Sequence, residues 1–147
     1  SVLERTGWPG EALLLEITES ALLLGPDGPV DVMARLHDLG VSLAIDDFGT
    51  GYSSLAYLKH LPVDQVKIDQ SFVGAIDRHD DRLVRIVDAV LAIADALGHQ
   101  TTAEGVETTA QLDYLRRGHC DFGQGYLFSK PLPFDEFARL LASDPRW

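Results

Sequence analysis

The chain has 147 residues and a formal net charge of −11, with 23 acidic residues against 12 lysines and arginines. Its length suits one domain or part of one. A nucleic-acid groove would be basic, so we expect no DNA or RNA partner. The hydrophobic fraction of 46% is typical of a globular chain, and no apolar run reaches the length of a membrane span.

Cysteine and histidine usage excludes the common sulfur and imidazole sites. Cys120 is the single cysteine, which leaves no disulfide framework and no cysteine-based zinc site. None of the five histidines shows metal-ligand spacing. A lone thiol fits a reducing compartment, and no signal-peptide pattern is present. We therefore expect a cytoplasmic location, including the cytoplasmic part of a larger multidomain protein.

Short apolar runs alternate with segments of helical spacing along the chain. The predicted elements are a helix end over 2–6, then strands over 13–17, 41–45, 65–69, 99–103 and 120–122, and helices over 30–39, 54–60, 80–97, 108–117 and 133–141. Strand and helix alternate five times with short links. This pattern predicts parallel βαβ units, and therefore an α/β fold.

Two adjacent carboxylates follow the predicted strand over 41–45. The apolar run suits a strand buried on both faces, and the side chains of Asp46 and Asp47 directly after it repel each other when ionised. A divalent cation is the usual compensation, because hard cations prefer oxygen ligands. Gly49 and Gly51 allow the loop to fold tightly over a bound ion. The alternative is that the two aspartates cap the following helix, but a pair favours the metal.

Every predicted strand delivers polar side chains at its C-terminal end. In a (β/α) barrel this rim is where the active site forms, so we expect these side chains to converge. They are Glu16, Asp46, Asp47, Lys67, Glu104, Glu107 and Gln124. For Lys67 alone, an ion pair with Asp64 or Asp69 is an equally good interpretation. Asp69 is expected to have a structural role, as the cap of the turn into Ser71.

Five motifs occur in one order along the chain: Leu15–Ser20 (LEITES), Asp46–Leu55 (DDFGTGYSSL), Lys67–Asp69 (KID), Ala103–Glu107 (AEGVE) and Gln124–Tyr126 (QGY). In this order and approximate spacing they resemble EAL domains, the bacterial phosphodiesterases that cleave cyclic di-GMP. The chain over residues 1–147 is similar to the C-terminal three-fifths of a single EAL domain. The resemblance implies a partial (β/α)8 TIM-type barrel of about five βα units, with the first strands missing.

The resemblance also implies roles for individual residues. The ligands of two divalent ions, Mg²⁺ or Mn²⁺, would be Glu16, Asp46, Asp47 and Glu104. The catalytic set would be Lys67, which would hold and polarise the attacking water, with Glu104 and Glu107. The loop and substrate set would be Glu19, which would fix the loop over 47–54, with Thr50, Gly51 and Gln124.

One apparent match is rejected. Glu11-Ala12-Leu13 spells the motif that gives the family its name, but it lies five residues before Glu16 on the same predicted strand. At about 3.3 Å per residue this separation puts Glu11 about 16 Å away, at the opposite rim. The strands that carry the true motif and a metal-binding asparagine are not recognised in this sequence. We therefore expect the isolated chain to be inactive.

Three functions are compatible with the resemblance. In the first, the parent protein is a metal-dependent hydrolase, a phosphodiesterase that converts cyclic di-GMP to linear pGpG. In the second, the chain belongs to a receptor that binds cyclic di-GMP without cleaving it, and in the third to a protein-interaction module. The intact motif residues favour the first. Since open sheet edges invite pairing, we also expect a homodimer or association with the missing part of the same domain.

Overall fold

The computed structural model describes residues 2–22, 29–50, 58–59, 61–78 and 80–145. Five strands in this part form one sheet: β1 (Leu14–Thr18), β2 (Ser42–Phe48), β3 (Gln65–Ile68), β4 (Gln100–Ala103) and β5 (Phe122–Gly123). The strands lie side by side in chain order, and every neighbouring pair is parallel. The prediction of an α/β fold built from parallel units is confirmed.

Helices connect and cover these strands. They are α1 (Val2–Thr6), α2 (Glu19–Leu22), α3 (Pro29–His37), α4 (Gln70–Val73), α5 (Ala75–Arg78), α6 (Asp81–Leu97), α7 (Thr109–Arg117) and α8 (Phe134–Ala142), with a 3-10 turn at Gly10–Ala12. Apart from residues 58–59, the predicted helix over 54–60 lies outside the described residues. The described helices include none with the length and apolar character needed to cross a membrane.

The middle strands of the sheet are buried, whereas the outer ones are not. Three consecutive apolar residues of β2, Leu43–Ile45, are buried, as a continuous apolar run in a covered parallel sheet requires. All four residues of β3 are buried as well, although Gln65 and Lys67 are polar. By contrast, β1 alternates between exposed and half-buried residues, and β5 is exposed. The two outermost strands among the described residues are therefore the sheet's accessible edges.

The longest helix, α6, packs over β3 and β4. Its buried residues have the spacing of one helix face and are Val87, Val90, Leu91 and Ala94. Asp80 begins the helix by accepting hydrogen bonds from the backbone N–H groups of Arg82 and Leu83. Gly98 ends it in the left-handed conformation, with φ +74°. The predicted helix over 80–97 is confirmed to within one residue, since Asp80 is its cap.

The strand β2 continues beyond its predicted end at Ile45. It runs through Asp46 and Asp47 to Phe48, so the two aspartates lie within the strand rather than after it. The prediction of an earlier end was wrong because β2 contains a bulge: the three steps from Ile45 to Phe48 face only two steps on β3. This extra residue matters for the site described below.

Other differences from the predicted elements are smaller. The last strand, β5, has two residues and shares only Phe122 with the predicted strand over 120–122, and the short helices α2, α4 and α5 were not predicted. Glu11 lies in the 3-10 turn that precedes β1, not on the strand. It lines a small cavity with residues at the starts of three strands, Ser42, Gln65 and Gln100. Its placement at the rim opposite the strand ends is confirmed.

Candidate active site

The side chain of Lys67 lies at the meeting point of the strand ends, with 5% of its surface exposed. Its Nζ is 2.8 Å from Oε1 of Glu16, 3.0 Å from Oδ1 of Asp46 and 2.5 Å from Oε1 of Glu104. These carboxylates come from β1, from β2 and from the residue that follows β4. The expected convergence of strand-end side chains is therefore present in the structure.

Lys67 does not form the alternative ion pair with Asp64 or Asp69. Asp64 accepts a hydrogen bond from the backbone N–H of Leu43 at 2.8 Å, and it lies before β3 rather than at its C-terminal end. Asp69 caps α4 by accepting from the backbone N–H of Ser71 at 3.0 Å. The predicted structural role of Asp69 is confirmed.

The surroundings of Lys67 keep its ammonium charged. Burial lowers the pKa of Lys67, but the carboxylates of Glu104, Glu16 and Asp46 outweigh this effect, and the pKa of Lys67 is raised above its ordinary value. A lysine that stays protonated donates hydrogen bonds and supplies positive charge. It does not act as a base at neutral pH.

Asp46, Asp47 and Glu104 form a compact group of carboxylates. Each offers one oxygen, and these oxygens lie within 4.8 Å of one another. The bulge in β2 makes this possible, because successive side chains of a regular strand point to opposite faces. Asp47 adopts a left-handed conformation at the bulge, with φ +55°. Burial, together with the carboxylates of Asp46 and Asp69, raises the pKa of Asp47, and Lys67 lowers it in part.

The donor set of this group fits a hard divalent cation. Around an ion of the Mg²⁺ class, ligand atoms at about 2.1 Å lie at most about 4.2 Å apart, which is close to the observed span. The buried Oδ1 of Asp46 lies 3.0 Å from Nζ of Lys67 and has no other polar partner among the described residues, so at least one of its two lone pairs remains for an ion. With Glu16, four carboxylates face one ammonium, and the surplus of negative charge favours a cation.

Gln124 and Glu107 lie beside the carboxylate group. Nε2 of Gln124 donates to Oε1 of Glu104 at 2.9 Å, so the glutamine contacts the same oxygen as Lys67. Glu107 is exposed, and it lines a cavity of about 580 Å³ together with Glu104 and Gln124. Tyr126 and Lys130 line the same cavity. This space is open to a ligand that also contacts the carboxylate group.

The turn after Asp47 is held by Glu19 and Thr50. Glu19 begins α2, is 3% exposed, and accepts a hydrogen bond through Oε2 from the backbone N–H of Gly49 at 3.2 Å. The hydroxyl of Thr50 donates to the backbone carbonyl of Asp47 at 2.8 Å. Gly51, which we predicted to belong to the same loop, lies outside the described residues.

Two features near the site were not predicted from the sequence. Lys130 lies with Nζ 5.6 Å from the ring centroid of Tyr126, and both residues line the cavity. Thr108 and Gln111 form a reciprocal capping box at the start of α7. The capping box has a sequence signature, a threonine followed three residues later by glutamine. The Lys130–Tyr126 contact depends on the path of an irregular segment and has no such signature.

Comparison with known proteins identifies the family. The family model described as the EAL domain matches residues 1–131. The chain belongs to the EAL domain family. The resemblance found in the sequence motifs is confirmed, and the five-stranded parallel sheet corresponds to part of an EAL barrel.

The chain is similar to several named EAL proteins. Cyclic di-GMP phosphodiesterase NbdA of Pseudomonas aeruginosa is 49% identical over 145 residues, which are 97% of this chain and 18% of that protein. The EAL domain of Mycobacterium smegmatis DcpA superposes with a TM-score of 0.89 at 43% identity, covering 99% of this chain and 65% of that one. A manganese and cyclic di-GMP complex of Klebsiella pneumoniae BlrP1 superposes with a TM-score of 0.76 at 34% identity, and the match covers 88% of this chain and 33% of that one.

Replacing Lys67 tests whether its ammonium holds the strand ends together. We expect Lys67→Met to lower the free energy of unfolding by about 3 kcal/mol, the lower end of the range for breaking a buried ion pair. The lower end applies because Glu16 is 46% exposed and water screens it. The measurement is urea denaturation in the presence of a chelator. Lys59→Met, which removes the same charge from an exposed position, is the control, and equal stability of the two variants would contradict the expectation.

Proposed function

We propose that this chain is the C-terminal part of an EAL domain, and that the protein carrying it hydrolyses cyclic di-GMP to linear pGpG. The observation that carries the proposal is the convergence of three carboxylates on the ammonium of Lys67 at the C-terminal ends of the strands. Phosphodiester hydrolysis requires a positioned water and compensation of the charge that develops on the phosphate. The described site contains groups suited to both.

The proposed metal ligands are Glu16, Asp46, Asp47 and Glu104, holding two Mg²⁺ or Mn²⁺ ions. When bound, such ions would lower the pKa of a coordinated water and neutralise phosphate charge. Lys67, which keeps its proton, would donate a hydrogen bond to the attacking water and hold it near the phosphate. Manganese in the BlrP1 complex supports this choice of ion.

Substrate contacts are proposed on both sides of the carboxylate group. Gln124 and Glu107 line the adjoining cavity of about 580 Å³, which has room for part of a nucleotide. On the other side, Glu19 would keep the turn after Asp47 in place through Gly49, with Thr50 and Gly51 in the same loop. The intact carboxylate set supports hydrolysis over a receptor that only binds the dinucleotide.

We further propose that the accessible sheet edges pair with the rest of the same EAL barrel. The chain covers 65% of the DcpA EAL domain, and β1 and β5 are the outermost described strands. Apolar side chains on and near β5 are exposed as well: Phe122 is 51%, Phe137 48% and Leu141 61% exposed. Remaining strands and helices of the domain would cover this surface. The isolated chain would then be inactive, and a homodimer is the competing arrangement.

A cytoplasmic location completes the proposal. Cys120 is a free thiol in the structure, and a chain whose single cysteine is free fits a reducing compartment. The location is tested by fractionating cells that express the full-length protein.

Hydrolysis is tested in the full-length protein that carries this chain. We expect turnover of cyclic di-GMP to pGpG with Mn²⁺ and none after chelation. Glu104→Gln should reduce kcat by more than about a hundredfold, because even partners outside the ligand set cost 10–100-fold in metal sites. The measurement is product formation followed by chromatography.

Glu11→Gln is the matched control for that measurement. It makes the same change at the opposite rim, and we expect the rate to stay within about twofold of the original. Binding of cyclic di-GMP without turnover would select the receptor function instead. Neither binding nor turnover would select an interaction module.

The pairing of the sheet edges is tested by amide hydrogen exchange. We expect the backbone amides of Leu14–Thr18 and Phe122–Gly123 to exchange slowly in the full-length protein and faster in the isolated chain. Amides of β3, which has neighbours on both sides in either case, are the internal control. If the amides of β1 and β5 exchanged at the same rates in the full-length protein and in the isolated monomeric chain, the proposal would be contradicted. Slow exchange of these amides in a dimer of the isolated chain would support the homodimer.

A further inference from the structure

The segment 104–107 carries Glu104 into the site and has no regular secondary structure. Its path therefore depends on individual contacts. The backbone N–H of Glu104 donates to the carbonyl of Ile68 at 3.0 Å, and that of Val106 donates to the carbonyl of Gln124 at 3.0 Å. These bonds tie the first three residues of the segment to β3 and to the residue after β5.

The second half of the segment is held by the side chain of Gln111, a residue that is 4% exposed. Its Oε1 accepts hydrogen bonds from the backbone N–H groups of Glu107 at 2.7 Å and Thr108 at 3.2 Å. The bond to Thr108 belongs to the capping box of α7. The shorter bond to Glu107 goes beyond capping, because it reaches into the segment that carries the carboxylates.

The orientation of the Gln111 amide is set by Asp77 of α5. A glutamine amide has an acceptor oxygen at one corner and a donor nitrogen at the other, and the two can exchange places by rotation. Oδ2 of Asp77 accepts from Nε2 of Gln111 at 2.8 Å. Since an ionised carboxylate only accepts, the nitrogen faces Asp77 and the oxygen faces the backbone. The hydroxyl of Thr108 donates to the same carboxylate at 3.0 Å.

This connection joins two parts of the chain that supply the site. Helix α5 follows β3, the strand of Lys67, whereas the segment 104–107 follows β4. We propose that Asp77, acting through the amide of Gln111, is a positioning residue that fixes the segment 104–107 and so keeps Glu104 beside Lys67. Asp77 bonds to Thr108 and Gln111 and acts on the site only through them. The expected effect of Asp77 on metal binding rests on the proposed function. Its expected effect on the path of the segment 104–107 does not.

A reversal of the hydrogen bond tests the proposal in the full-length protein. Gln111→Glu keeps an acceptor for both backbone N–H groups, but it loses the donor to Asp77 and places a second carboxylate next to it. Adding Asp77→Asn to this variant restores one donor and one acceptor in the opposite direction. We expect Gln111→Glu to weaken Mn²⁺ binding about tenfold and to speed amide exchange in the segment 104–107. The double variant should recover most of the Mn²⁺ affinity and most of the slow amide exchange in the segment.

Two further variants complete the experiment. Asp77→Ala removes the acceptor without adding charge, so it provides the same test if Gln111→Glu does not fold. Asp88→Asn is the matched control. Asp88 also accepts a hydrogen bond from a side chain of α7, the hydroxyl of Tyr114, at 2.6 Å. Among the described hydrogen bonds, none joins Asp88 to the segment 104–107. It makes the same charge change as Asp77→Asn. It should leave Mn²⁺ affinity and exchange in the segment unchanged.

The readouts are calorimetric titration with Mn²⁺ alone and amide exchange followed by mass spectrometry. Unchanged exchange in the segment for both Gln111→Glu and Asp77→Ala would overturn the proposal, as would a double variant no better than Gln111→Glu. A protein that does not hydrolyse cyclic di-GMP would refute the proposed function alone. If the protein does not bind Mn²⁺, amide exchange still decides whether Asp77 positions the segment: it should be faster in Gln111→Glu and slow again in the double variant.

Discussion

The site depends on one buried contact, in which the ammonium of Lys67 is surrounded by carboxylates from three parts of the sheet. Taking a charged lysine out of water costs several kcal/mol. The cost is offset only while Glu16, Asp46 and Glu104 stay within hydrogen-bond reach of Nζ. A slip of one residue in the pairing of β1 or β2 would turn a carboxylate to the other face. The register of the sheet and the arrangement of the site therefore support each other.

The bulge in β2 increases what this arrangement can bind. A regular strand would aim only one of two adjacent aspartates at the site. The extra residue between Ile45 and Phe48, with Asp47 in the left-handed conformation, lets both carboxylates join Glu104. Aspartate tolerates that conformation better than most residues. A local irregularity of the strand thus increases the number of oxygen ligands at one point.

Local patterns in the sequence predicted most of the fold and that side chains at the strand ends would converge. The ends of α6 were predictable because Asp80 and Gly98 act on their immediate neighbours. The partners of Lys67 were left open between two interpretations, because they depend on strand order and register. The bulge at Asp47 also depends on pairing with β3 and had no local signature.

The contact between Asp77 and Gln111 illustrates the same limit. It joins residues 34 positions apart in the chain, and it requires a short helix, α5, that the hydrophobic pattern did not predict. Only its local half, the capping box between Thr108 and Gln111, was readable in advance. Contacts of this kind follow from how successive βα units pack on one another.

The central claim is that carboxylates from successive strand ends share a metal ion beside Lys67. Anomalous diffraction at the manganese edge, from crystals of the full-length protein grown with Mn²⁺, tests it most directly. We expect an anomalous peak within bonding distance of Asp46, Asp47 and Glu104, at about 2.0–2.3 Å from their oxygens. Manganese bound only elsewhere on the protein, with these three carboxylates contacting no ion, would contradict it.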